Sequence, residues 1–183
     1  RPITAPFAMA LRPTVGQQLD LAWRRSIPMG LAVLVMFIGL LPWNITSLSP
    51  INANLVLIPI YYWTLYRPRL MSVWAVAALG LIGDLLGVTP LFGVEMLTAL
   101  VGYRVAVSQR KVFAGAPFII VWAGFLLMSA VAGAVQWVVV AIFAESIVDP
   151  RPALLMYLIG AVCYPLCAYA FAAIQRRSLV RVF

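Results

Sequence analysis

Six apolar stretches separated by short breaks constrain this sequence more than any other feature. A helix needs about 20 mostly apolar residues to cross the roughly 30 Å hydrocarbon core of a membrane. Charged residues make up only 10% of the chain, against about 25% in soluble domains. We therefore predict an all-α integral membrane protein with six transmembrane helices. The predicted spans are Ile27–Leu48, Ile51–Tyr66, Leu70–Gly87, Pro90–Val107, Pro117–Glu145 and Ala153–Ile174.

The basic residues indicate which side of the membrane each break faces. The chain has 13 Lys and Arg residues, 5 Asp and Glu residues and a net charge of +8. Cytoplasmic loops of membrane proteins are enriched in Lys and Arg. With the N-terminus inside, Arg151 is the only basic residue that falls on the outer side. This bias predicts that both termini are cytoplasmic, and it explains the positive charge without nucleic-acid binding.

The spans divide the chain into three segments. Residues 1–26 form a cytoplasmic N-terminal segment, residues 27–175 a six-helix membrane domain, and residues 176–183 a basic cytoplasmic tail. Prolines oppose a continuous helix at the start of the N-terminal segment, whereas Leu19 and Trp23 are spaced for one helix face. A short helix on the inner membrane surface and a disordered basic tail are equally compatible with residues 1–26.

The side chains that catalysis and metal binding need are scarce. The chain has no histidine, which excludes Ser/His and Cys/His chemistry. Its two cysteines, Cys163 and Cys167, lie within an apolar stretch, whereas a structural zinc site needs four ligands. Of the three aspartates, only Asp84 lies within a predicted span, and an aspartyl protease needs a pair. We predict a protein that is not an enzyme and has no metal or cofactor.

The segment 79–103 carries acidic residues where a membrane makes them costly. Gly80, Gly83 and Gly87 are spaced to line one face of the third span, and such a face lets another backbone approach closely. Asp84 lies beside this face, and Glu95 lies in the fourth span. Both acids are near the predicted outer surface, so they are either solvated there or bound to a polar or cationic partner. We predict a tight antiparallel hairpin with an outward-facing acid at Asp84.

The hairpin's second helix has its own start signal in the sequence. Thr89 followed by Pro90 is typical of a helix N-cap and first helical position. Only Gly87 and Val88 then remain to reverse the chain.

An aromatic cluster ends the second span. Aromatic rings beside arginines are typical of the membrane–water interface, and this role is favoured over a ligand-stacking site. The predicted anchors are Tyr61, Tyr62, Trp63, Tyr66, Arg67 and Arg69.

Residues 59–103 contain a set of residues in a specific order and spacing: Pro59, Tyr62, Trp63, Leu65, Pro68, Gly80, Leu81, Asp84, Leu85, Leu86, Gly87, Leu91, Gly93 and Leu97. This order and spacing resemble those of the bacterial rod-shape-determining protein MreD family. One departure is Phe92, which separates a leucine and a glycine that are usually adjacent, so it is open whether Thr89, Pro90 or Phe92 begins the fourth helix.

The resemblance implies a non-enzymatic subunit of the bacterial cell-elongation machinery, which builds the lateral peptidoglycan wall. It implies a multi-pass protein of the inner membrane, in contact with lipid, whose direct partner is MreC. It also implies indirect partners that are linked through MreC, namely MreB, RodA and a class B penicillin-binding transpeptidase. The family is also similar in fold to the substrate-binding subunits of energy-coupling-factor vitamin transporters.

Two functions therefore stand as hypotheses. The first is a scaffold that binds MreC and organises peptidoglycan synthesis, with Gly80, Gly83, Asp84 and Gly87 in helix packing or partner binding. Gly93 and Glu95 belong to the same predicted site. The second is a small-molecule-binding subunit of a vitamin-type transporter. A homo-oligomer through the glycine face is a further alternative.

Overall fold

The computed structural model describes residues 29–39, 52–68, 70–87, 91–113, 115–143 and 149–179. All regular structure in these ranges is α-helical, which confirms the all-α prediction for the described part of the chain. The predicted surface helix within 1–26, the end of the first span, Arg69, Thr89-Pro90 and the end of the basic tail lie outside the described residues. The helices are α1 (Met29–Gly39), α2 (Asn52–Tyr66), α3 (Val73–Leu85), α4 (Val94–Phe113), α5 (Phe118–Phe143) and α6 (Arg151–Leu179).

Two of the described helices, α5 and α6, are long and apolar enough to cross a membrane. The apolar helices α1, α2 and α3 are shorter; α3, with 13 residues, is about 20 Å long. Helix α4 has 20 residues but carries an acid at its start and basic residues at its end. The six-span arrangement therefore remains a prediction.

Helix α2 is the centre of the bundle. Every residue from 56 to 65 is buried, and the helix contacts α4, α5 and α6 and, less extensively, α3. A helix that is apolar on all sides is typically surrounded by others, and the helix continues through Pro59 without interruption. The core is therefore built around α2.

Glycines bring the neighbouring helices close to this centre. A Cβ built on Gly102 of α4 would lie 3.0 Å from Leu57 Cδ2 and 3.0 Å from Met128 Sδ. Larger residues would therefore separate α4 from α2 and α5. Among α2 to α6, the remaining contacts join α3 to α4 and α5 to α6, so of these helices α4 is the one that mainly covers α3.

Candidate helix-packing and partner-binding site

Asp84 caps the N-terminus of the neighbouring helix. Its Oδ1 accepts the Glu95 N–H at 3.0 Å and its Oδ2 accepts the Met96 N–H at 3.1 Å. Gly93 is the residue whose carbonyl accepts the first intrahelical bond, from Leu97 N–H, but glycine has no side chain that could cap the helix. The capping group that is normally local is thus supplied from α3.

This arrangement corrects two features of the predicted hairpin. Asp84 is only 6% exposed, so it does not face outward, and its polar partner is the backbone of α4. Helix α4 begins at Val94, four residues later than the predicted start at Pro90. The reason is the backbone of Gly93, whose φ of 93° lies outside the helical region.

Glu95 is the second buried acid of the hairpin. It is 2% exposed, and its Oε2 has no hydrogen-bond partner among the described residues. Its side chain lies against Gly83, since a Cβ built there would be 2.6 Å from Glu95 Cγ and 3.3 Å from Met36 Cε. The carboxyl group is therefore enclosed between α3, α4 and α1, and it is not solvated at an outer surface.

The glycines of the hairpin have two different roles. A Cβ on Gly80 would collide with the Met96 backbone, so Gly80, like Gly83, permits the close contact between α3 and α4. A Cβ on Gly87 or Gly93 would meet nothing within 4 Å. Their φ angles of 70° and 93° are instead the conformations that favour glycine. The predicted close approach exists, and the approaching helix belongs to the same chain.

The aromatic cluster of α2 differs from the predicted interfacial belt. Tyr61 and Trp63 are 0% exposed and Tyr62 is 5% exposed, whereas Tyr66 is 41% exposed. Arg67 is half-buried. Of the five predicted anchors that the structure describes, only Tyr66 and Arg67 keep the exposure that an interfacial anchor needs, because the other three side chains face the neighbouring helices.

Those inward rings are held by specific contacts with α5 and α6. The Tyr61 hydroxyl donates to the Val121 carbonyl, and the Tyr62 hydroxyl donates to Gln175 Oε1, both at 3.1 Å. The Tyr61 ring packs edge-on against Tyr164 at a centroid distance of 5.9 Å. These rings therefore join α2 to its neighbours.

Tyr164, an aromatic residue of α6 that packs in the core, was not identified from the sequence. Tyr164 is 0% exposed and stacks on Phe125 with ring centroids 4.4 Å apart. Its spacing of seven residues to Tyr157 and to Phe171 places all three on one helix face. This spacing was the signal in the sequence that could have identified Tyr164.

Among the described residues, no group of three or more His, Cys, Asp or Glu side chains is arranged to hold a metal.

Comparison with known protein families shows to which family the chain belongs. The family model described as rod shape-determining protein MreD matches residues 23–173. The chain belongs to the MreD family. The match extends from before α1 to near the end of α6 and confirms the resemblance in residues 59–103. The MreD family is a family of membrane proteins with a role in rod shape determination, and it is not a known enzyme family.

Two other comparisons gave no match. No curated protein and no solved structure matches the chain. The predicted similarity in fold to vitamin-transporter subunits therefore remains a prediction.

Proposed function

We propose that this MreD-family protein is a non-enzymatic membrane scaffold of the bacterial cell-elongation machinery. In this role it binds MreC directly and helps to organise lateral peptidoglycan synthesis with MreB, RodA and a class B penicillin-binding transpeptidase. The match of the MreD family model to residues 23–173 is the observation that carries the proposal. The construction of the α3–α4 hairpin supports it, because a rigid hairpin is suited to hold a partner helix.

We place the contact with MreC away from the glycine face of α3. Gly80 and Gly83 are covered by α4, so neither a partner helix nor a second copy of the chain can reach them. The opposite face of α3 is exposed at Trp74 (83%), Leu81 (40%) and Leu85 (70%). These residues have the i, i+7, i+11 spacing of one helix face. We assign this outer α3 face to the single membrane helix of MreC.

Co-purification of MreC from membranes in mild detergent tests this assignment. Leu85→Trp should abolish MreC retention, because the larger ring prevents close packing of a helix against α3. Leu166→Trp on α6 is the matched control, since Leu166 is 74% exposed and the same change should leave MreC bound. A Gly83→Leu variant is less informative, because it disrupts the hairpin itself.

Three results are distinguishable in this experiment. Loss of MreC with Leu85→Trp alone supports both the scaffold role and the outer α3 face. Loss with neither variant means that MreC binds another face, and failure of the unaltered protein to retain MreC contradicts the scaffold role. A normal cell shape when Leu85→Trp replaces the unaltered protein would contradict the importance of the contact.

The proposal includes a location in the bacterial cytoplasmic membrane, with six spans and both termini in the cytoplasm. The twelve basic residues on the predicted inner side support it. Reporter fusions after Ser49 and after Arg69 should report opposite sides of the membrane. The same side for both would contradict the topology.

The vitamin-transporter alternative receives no support from the two acids that suggested it. Both side-chain oxygens of Asp84 accept backbone N–H groups of α4, and Glu95 is enclosed by the hairpin. Neither acid is therefore available to an external ligand.

A further inference from the structure

A cleft of about 560 Å³ lies between α2, α5 and α6. Its volume is within the range of roughly 300–1,000 Å³ that is common for small-molecule sites. Apolar and aromatic side chains form most of its wall. The described residues that define its two ends are Tyr62, Tyr66, Phe118, Tyr164, Gln175 and Arg176.

The cleft is elongated along α6. Tyr164 and Arg176 both line it, and twelve helical residues correspond to about 18 Å. Beside Tyr164 the wall is aromatic, with the Phe118 ring stacked at a centroid distance of 6.3 Å. The cleft therefore has the length and the lining that suit an extended hydrocarbon chain.

The other end of the cleft is polar and cationic. Arg176 is exposed there, next to Gln175, whose Oε1 already accepts the Tyr62 hydroxyl and whose amide nitrogen carries two N–H donors. Tyr66, with its phenolic hydroxyl, lines the same end. Among the described lining residues there is one positive charge and no carboxylate. This end is therefore complementary to an anion that accepts several hydrogen bonds.

We propose that the cleft binds an anionic phospholipid of the surrounding membrane. One acyl chain lies along α6 between Arg176 and Tyr164, and the phosphate group pairs with Arg176. Because the α6 side chains next to the cleft are open to the bilayer, with Tyr169 79% exposed, a lipid can enter laterally. In the proposed topology Arg176 is near the cytoplasmic end of α6, so the bound lipid belongs to the inner leaflet. This leaflet assignment rests on the proposed function, whereas the site itself does not.

Native mass spectrometry of the purified protein, titrated with phosphatidylglycerol or phosphatidylethanolamine of identical acyl chains, tests the proposal. Phosphatidylglycerol should bind about tenfold more tightly. Both lipids carry a phosphate group, but the ammonium group of phosphatidylethanolamine offsets the phosphate charge and repels Arg176, whereas phosphatidylglycerol keeps a net negative charge. Arg176→Gln should remove this preference. Arg110→Gln is the matched control, because Arg110 is also exposed and near a helix end but lies outside the cleft.

A second pair of variants tests the acyl-chain part of the site. Ala172 lines the cleft, whereas Ala170, two residues away on α6, is exposed and does not line it. Ala172→Phe should reduce the retention of both lipids at least about fivefold by filling the cleft, and Ala170→Phe should change neither. If Ala172→Phe fails to fold, Arg176→Gln still tests the proposal, provided that its melting temperature equals that of the unaltered protein.

Equal binding of the two lipids by the unaltered protein would overturn the proposal. So would a preference for phosphatidylglycerol that survives Arg176→Gln, or lipid retention that survives a folded Ala172→Phe. Occupation of the cleft by another segment of the chain or by a partner helix would produce the first of these results. The experiment contains no MreC, so its failure is distinct from a failure of the scaffold function.

Discussion

Replacement of Asp84 by alanine should destabilise the protein more than the loss of any exposed helix cap. Asp84→Ala removes two hydrogen bonds, of 3.0 and 3.1 Å, to the first turn of α4. It leaves the Glu95 and Met96 N–H groups unpaired at a position where Asp84 itself was only 6% exposed. Loss of an N-cap costs about 0.5–2 kcal/mol, and burial adds the cost of unsatisfied donors. We expect a total loss of about 2–3 kcal/mol.

Asp149 offers a matched control within the same chain. Its Oδ1 accepts the Arg151 N–H at 3.0 Å at the start of α6, but its side chain is 59% exposed. Because water can replace this bond, Asp149→Ala should cost only about 0.5 kcal/mol. Asp84→Asn should lie between the two, since the amide keeps one acceptor oxygen but turns its N–H₂ donors toward the N–H groups of α4.

Thermal unfolding in one detergent is the assay. For a protein of this size, about 1 kcal/mol corresponds to roughly 2–4 °C in the melting temperature. Asp84→Ala should therefore lower it by about 5–10 °C and Asp149→Ala by no more than about 2 °C. Equal effects of the two variants would refute the inter-helix cap. Full stability of Asp84→Ala together with loss of MreC binding would show that Asp84 serves the partner and not α4.

Two further predictions concern stability and use the same assay. Gly80→Ala should cost about 1–3 kcal/mol because its methyl group overpacks the α3–α4 contact. Gly133→Ala is the control: with no atom within 4 Å of its new Cβ, it should stabilise α5 by about 0.5 kcal/mol. Equal effects of the two variants would contradict the close backbone approach at Gly80. Tyr61→Phe should cost about 1 kcal/mol through the lost bond to the Val121 carbonyl. Tyr164→Phe should cost nothing, because its buried hydroxyl has no partner among the described residues; a loss for Tyr164→Phe as large as that for Tyr61→Phe would contradict this difference between the two hydroxyls.

The α3–α4 hairpin shows which structural features could be predicted from its sequence and which could not. The i, i+3 spacing of Gly80 and Gly83 was sufficient to predict a close helix contact, because small residues such as glycine let another backbone approach closely. The start of α4 was misplaced because Thr89-Pro90 is a local signal, whereas the cap that α4 uses comes from Asp84, eleven residues before Glu95. No local pattern reveals a cap supplied by another helix.

The aromatic cluster of α2 shows that a local sequence pattern also does not predict which side chains are buried. Rings followed by arginines are typical of an interface, yet Tyr61 and Trp63 are buried in the bundle. The continuous apolar character of α2 was the better signal, since a helix without a polar side is suited to the centre of a bundle.

Composition and motif order by themselves determined the all-α class, the MreD family and the segment on which the hairpin depends. The tertiary structure decided which neighbour each side chain meets: α4 for Gly80 and Asp84, α5 and α6 for the aromatic rings, and the shared cleft for Arg176. The sequence could not reveal these neighbours because the helices are surrounded by lipid. In a membrane the lipid is as apolar as the protein interior, so hydropathy does not distinguish the face of a helix that is buried from the face that meets lipid.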